Sequence, residues 1–437
     1  MFHVKHFVGL ERVLSMTKTI TPPSLKLYFS PRVLTMMILG FPYGMMYYLA
    51  VPTLQMWLKD LNYTNTIIGC FAWVYSPSIL KFALAPLVSG FKIPYLQKLG
   101  QRRSWLVVAH LCLMILLILI GFSDPGRHLF YTAFLAALLA MFAAIQDIIV
   151  DAYRIEILNH DQAGPGVSML SFGYRMGALT ASAGSLYAAE LFGWQVSYCL
   201  MACFVVMGVL AALLNPEPKI PLPSDQGFWR NYVIEPFSEL LSRPGWWYTF
   251  AFILLFSMSD AMINNMANPF FIEIGFSKPE IASVAKIFGT ISTVLGGFVG
   301  GLLVVRFNIF RALFWAGSLH ALSHLLLVMQ AYAGHDIETL YGVIACEKLT
   351  AGINTTVFIV YLSRQCNLMY TALQYAILSS FWSFSTLTAS ISGWLVDHLN
   401  RHWPTFFMLT FWISIPGILM ILKIKNYPLG NDGRLAK

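Results

Sequence analysis

Eight ionisable side chains stand where a chain this apolar should carry none. Lys81, Asp147, Arg175, Asp260, Lys286, Glu347 and Lys348 lie inside long apolar runs, and Asp151 lies at the end of one. A charge at the centre of a bilayer costs roughly 2.5–3.5 kcal/mol on insertion scales, so a set of this size implies a task. Four acids against four bases predicts mutual pairing. Asp147 and Asp151 are four residues apart, hence on one helical face. Two carboxylates that close do not both ionise freely, so a proton is readily held between them. Such a pair can load and release a proton as its surroundings alternate between two sides. The structural alternative is ion pairing, Asp147 with Lys81 or Arg175 and Asp151 with Arg154.

Two polar stripes accompany the charges. Asp260 shares a helical face with Asn264 and Asn268, ending at Pro269, and Glu347, Lys348, Asn354, Thr355 and Thr356 make a second stripe. Facing lipid would be costly, so each should line water, a polar ligand or a neighbouring helix. His320 and His324 stand one turn apart, but with no third ligand evident they read as core or interfacial residues rather than a metal site. Tyr47, Tyr48 and Trp57 suit either sugar stacking or anchoring at the membrane interface. The sequence contains no Gly-rich phosphate loop, nucleophile elbow or HExxH, and nothing else in it suggests an enzyme.

The elements that must position these groups are membrane spans. Of 437 residues 57% are hydrophobic and 11% charged, against roughly 25% charged in a soluble domain. Windows of about 19 residues predict spans near 33–54, 65–88, 105–123, 129–151, 167–190, 194–214, 247–272, 280–304, 311–333, 338–362, 372–396 and 403–423. Alternating the connections puts 20 of the Lys and Arg residues in the termini and the even-numbered loops, four in the other loops and four within spans. The positive-inside bias therefore places both termini in the cytoplasm. The net charge of +8 is a topology signal, not a sign of nucleic-acid binding. Six cysteines without CxxC spacing indicate neither a disulfide framework nor a zinc site. Residues 1–32 lack the apolar core of a secretory signal, and Met16 is an alternative start.

A Pro-rich connection divides the spans six and six. The expected units are an N-terminal arm (1–32), a bundle (33–214), a semi-extended cytoplasmic linker (215–246), a second bundle (247–423) and a tail (424–437). This predicts an all-α membrane protein with two six-helix bundles related by an axis along the membrane normal. At 1.5 Å per residue, Lys81, Asp147 and Arg175 come out at one depth, and Asp260, Lys286 and Glu347 at another, predicting one charge cluster per bundle. Gly173, Gly177 and Gly184 on the fifth span and Gly289, Gly296, Gly297, Gly300 and Gly301 on the eighth mark close helix approaches, either static packing or a sliding seam. A solute transporter follows from the combination.

Several stretches carry a resemblance. Thr53-Leu54-Gln55-Met56-Trp57-Leu58, the run Gln146 to Arg154 (Q-D-I-I-V-D-A-Y-R) and Gly173-Tyr174-Arg175-Met176-Gly177 resemble the AmpG-type anhydromuropeptide permeases, a major facilitator branch related to acetyl-coenzyme A transporters. Ser259-Asp260-Ala261, Ala285-Lys286, Phe310 to Leu313 and Gln374-Tyr375-Ala376 extend the likeness to nearly all the chain from about residue 30. The resemblance implies proton-driven import of N-acetylglucosaminyl-1,6-anhydro-N-acetylmuramic acid and its peptides, for cell-wall recycling, across a bacterial inner membrane. It makes Asp147 and Asp151 the coupling carboxylates, Arg175, Lys286 and Glu347 pocket or gate residues, and Tyr174 and Gln55 sugar contacts. Trp57, Lys81, Gln146, Asp260, Asn264, Asn268, Lys348, Asn354 and Gln374 complete the candidate substrate or gate set. A monomer without bound cofactor is expected. The alternatives are another organic solute, such as acetyl-coenzyme A or a nucleotide, or a transport-inactive sensor. Three departures bear on selectivity and gating: Ser89-Gly90 where facilitators usually carry an acid, the Asn264-Asn265 pair, and Lys348 after Glu347.

Overall fold

In a lipid interior every backbone polar group must be satisfied within its own segment or by close neighbours, which leaves helices as the economical solution for apolar runs of this length. The computed structural model describes residues 25–78, 81–219 and 227–430, and every regular element among them is helical. The first span is Pro31–Ala50, continued past Val51 by Pro52–Asp60. The second is interrupted rather than continuous: Asn65–Cys70, a tighter 3₁₀ stretch Phe71–Ser78 containing Pro77, then Lys81–Gly90. Proline lacks the N–H that an α-helical turn needs there. The third and fourth spans are Gln101–Gly121 and Leu129–Ile157.

The fifth span begins at Ala163–Leu179 and widens through a π turn, Thr180–Gly184. It is separated from the sixth by Gly193, whose φ of 82° only glycine adopts without strain. The seventh span is Trp246–Glu273 and the eighth combines a π-helical stretch, Ile281–Phe288, with Gly289–Arg306. Ile309–Ala333, Ile337–Gln365, Thr371–His398 and Trp403–Ile424 are the ninth to twelfth. The linker, expected to be semi-extended, contains a π turn, Arg230–Ile234, and a helix, Glu235–Ser242.

The buried cores show which side is closed. One apolar core joins the cytoplasmic halves of both bundles, from Val33 and Ile149 to Phe252, Tyr361 and Leu378. The outer halves have separate cores, one confined to residues 45–205 and one to 262–407. Across the bundles the fifth span packs on the eighth, and the eleventh on the second and fourth. Tyr28 donates to the Phe298 carbonyl at 2.6 Å and Ser168 to that of Gly297 at 2.7 Å. The chain is therefore sealed on the cytoplasmic side. Most of the glycines act within a bundle: Gly173 and Gly177 meet first-span backbone, and Gly296 and Gly300 meet the tenth span. Gly164 and Gly301 touch across the bundles.

Candidate functional site: charged and polar groups of the two bundles

On the N-terminal side the second and fourth spans bring Lys81 Nζ to 3.0 Å from Asp147 Oδ2. The other carboxylate oxygen, Oδ1, is buried without a well-aligned donor among the described residues, although the Tyr43 side chain stands beside the carboxylate. Tyr174 packs edge-on against Tyr43, ring centroids 5.3 Å apart, beside this pair. Arg175, expected in the same cluster, has no carboxylate within ion-pair distance among the described residues; Lys81 alone meets Asp147.

One turn further in, the fourth helix does not end at Asp151 but runs to Ile157. Asp151 pairs with Arg154 at 3.0 Å, and both are buried. Arg154 also donates to Ser363 Oγ on the tenth span at 2.9 Å and lies over the Tyr375 ring of the eleventh at 5.3 Å. A single guanidinium thus ties the two bundles together on the closed side. The spacing of three makes the pair with Asp151 legible in the sequence, whereas the cross-bundle contacts of Arg154 have no local signature.

The C-terminal wall pairs differently from expectation. Asp260 is met not by Lys286 or Glu347 but by His320, Oδ1 to Nε2 at 3.2 Å. Glu347 is met by its neighbour Lys348 at 3.1 Å, and Lys348 also reaches Asn264 Oδ1 at 3.3 Å. Lys286 and Asn268 share a small recess with that group, Lys286 forming no ion pair among the described residues. Asp260, Asn264 and Asn265 of the seventh span face Trp382, Ser383 and Ser385 of the eleventh across a cavity of about 480 Å³. Asn354 is buried, its Oδ1 without a partner among the described residues.

Four candidates lie away from this cavity. Gln146, one position and 100° round the helix from Asp147, is fully buried and bonds His110 at 3.0 Å. Trp57 stacks on Trp194 at 5.8 Å and is buried in the outer core. Gln55 donates to the Ile68 carbonyl at 3.0 Å, tying the first span to the second. Gln374 belongs to a cytoplasmic network, bonded to Glu239, to the Asn367 amide at 2.7 Å and to Arg243 at 3.2 Å.

The acid missing from the loop after the second span is replaced from elsewhere. Glu217 of the linker accepts from the Arg102 and Arg103 amides at 2.7 and 3.0 Å, capping the third span's N-terminus. Arg102 itself holds Glu156 of the fourth span through two bonds of 2.9 and 2.7 Å.

Two six-helix bundles that share one core on the cytoplasmic side and have separate cores on the outer side, with buried charges in each, are the architecture of a membrane carrier. The chain belongs to the Major Facilitator Superfamily, whose model matches residues 36–366. Within it the chain is of the AmpG type. It is 33% identical over 409 residues to the Rickettsia conorii protein that carries the name AmpG 4, covering 92% of this chain and 98% of that one. It is 30% identical over 419 residues to the anhydromuropeptide permease of Escherichia coli K12, covering 94% and 84%. The fold is also that of the proton:xylose symporter XylE with 6-bromo-6-deoxy-D-glucose bound, with TM-score 0.69, 12% identity, and coverage of 94% and 99%. The protein is a multi-pass membrane transporter, not an enzyme.

Proposed function

We propose that this transporter imports anhydromuropeptides, N-acetylglucosaminyl-1,6-anhydro-N-acetylmuramic acid with or without its peptide, from periplasm to cytoplasm across a bacterial inner membrane, coupled to protons. The observation that carries the coupling is Asp147. One of its oxygens is held by Lys81, and the other is buried without a well-aligned donor among the described residues, with the Tyr43 side chain beside the carboxylate. An unsatisfied buried acceptor costs about 1–3 kcal/mol, and a proton placed on it converts the group to a donor and removes the charge that Lys81 answers.

Protonation from the outer side loosens Lys81 from the fourth span. The cargo, whose hydroxyl and amide groups match the Asn264, Asn265 and Ser383 side of the cavity, occupies the polar space between the walls. Together they favour the inward-open state, in which Asp147 meets the cytoplasm and releases its proton. Cargo and proton shift the equilibrium only through their different affinities for the two states. No bound cofactor takes part; the proton gradient supplies the energy.

The test is uptake of radiolabelled anhydro-disaccharide into proteoliposomes of controlled orientation. The unaltered protein should accumulate it under an inward proton gradient. Asp147→Asn should exchange cargo across the membrane but not concentrate it. Concentrative uptake by that variant would end the coupling assignment.

A further inference from the structure

His320, buried behind the cavity-lining Asp260, is an ionisable residue for which the coupling scheme has no role. Its surroundings are built for a proton. Nε2 faces Asp260 Oδ1 at 3.2 Å and Nδ1 faces Thr350 Oγ1 at 3.3 Å. In a neutral ring one nitrogen donates and the other accepts; in the imidazolium both donate. The second form breaks nothing here, because the Thr350 hydroxyl has other acceptors: Ser323 Oγ at 3.1 Å and the Cys346 and Glu347 carbonyls at 2.8 and 3.0 Å. Gaining a proton therefore needs only a hydroxyl rotation.

Access is equally specific. The His320 side chain is 5% exposed and that of Asp260 35%, so Asp260 is the face open to the 480 Å³ cavity and His320 stands behind it. The other charges are accounted for. On the tenth span Glu347 is met by Lys348, and Lys286 of the eighth lies in the neighbouring recess. His324, one turn along the ninth span with its ring centroid 4.9 Å away, is fully buried and faces the Thr410 backbone of the twelfth span. The twelfth span has Lys423 as its one charged residue, at its cytoplasmic end. His320 is then the only group of cationic capacity within ion-pair distance of Asp260 among the described residues.

We propose that His320 and Asp260 form a second proton-binding site, in the C-terminal bundle, loaded from the outer cavity through Asp260 and carried with the cargo. Its role in transport rests on the proton-coupled reading above; its existence as a titrating site does not.

Two measurements decide it. The full-length protein, labelled in its histidine rings and reconstituted in lipid nanodiscs, is titrated by NMR without any cargo. One imidazole signal should respond to pH, vanish in His320→Gln and change its response in Asp260→Asn. No such signal, or one indifferent to Asp260→Asn, overturns the site. The proton-to-cargo ratio is then read from the reversal potential in proteoliposomes. His320→Gln, which keeps a donor for Asp260, should lower the ratio by one proton; an unchanged ratio overturns the carried-proton role. Cargo flux indifferent to the gradient in the unaltered protein would count against the coupling at Asp147 and against carriage by His320, while the NMR titration would still decide the site itself.

Discussion

Ser363→Ala should unlock the cytoplasmic gate without harming the fold. The Arg154–Asp151 pair lies within one helix and survives in either conformation, so it cancels from the equilibrium between them. What distinguishes the closed state is the cross-bundle part: the 2.9 Å bond to Ser363 Oγ and the Tyr375 ring under the guanidinium. A hydrogen bond to a charged group contributes about 1.5–3 kcal/mol, and a desolvated cation–π contact about 0.5–2 kcal/mol. Ser363→Ala alone should therefore move the closed-to-open ratio by roughly 10- to 150-fold toward inward-open. Tyr375→Leu should add a further factor of about 2–30. Replacing Arg154 itself is the poorer test, since it strands a buried Asp151 and destabilises both states. The assay is electron–electron spin distance measurement between labels on the cytoplasmic ends of the fifth and eighth spans, in a background freed of the six native cysteines. Distance distributions for Ser363→Ala and Tyr375→Leu that superimpose on the parent's would refute the assignment of Arg154 as the clamp.

Other consequences follow from the same contacts. Gly164→Leu forces a side chain into the Gly301 carbonyl across the bundles; it should populate the inward-open state and slow uptake, seen as increased labelling of a cytoplasmic-side cysteine reporter. Glu217→Gln removes a charge from two helix N-terminal amides; it should cost about 1 kcal/mol and lower the melting temperature, whereas Glu217→Asp should recover part of the loss. Asp336, outside the spans, is held below the usual carboxylate range, first by the Thr339 hydroxyl and then by its amide. That stabilisation is present above the ordinary aspartate pKa and is lost as pH falls through the lowered value. Thr339→Ala should therefore shrink the drop in melting temperature between mildly and strongly acid medium.

How much of this was readable in the chain depends on range. The spans follow from apolar length, since lipid dictates helices whatever the tertiary contacts. The orientation follows from charge placement, as Lys92, Lys98, Arg102 and Arg103 on one side illustrate. The Lys81–Asp147 pair was among the options because opposite charges inside lipid must find one another. The partner of Asp260 was not legible: Lys286, Glu347 and His320 all lie within the right bundle, and only the tertiary arrangement that sets His320 of the ninth span beside the seventh chooses among them. Gln146 meets His110 rather than Lys81 because a motif gives proximity in sequence, while 100° of helix rotation decides which neighbour a residue faces; the stacking of Trp57 on Trp194 has no local signature. The second span, expected as one continuous run from 65 to 88, is interrupted around Pro77, a local residue with a local consequence.

The π-helical stretch Ile281–Phe288 has a meaning for comparisons of length among relatives. A π turn is an α-helix accommodating a residue too many. A one-residue deletion just after Lys286 would let the stretch settle to ordinary pitch, turning that lysine about 100° away from the recess it shares with Glu347 and Lys348. Gly296 and Gly300, beyond the deletion, would keep their grip on the tenth span. An insertion or deletion in this segment is thus a substitution of cavity lining in disguise. Two relatives aligned with a single gap here offer their cargo different walls, even where every aligned residue is the same.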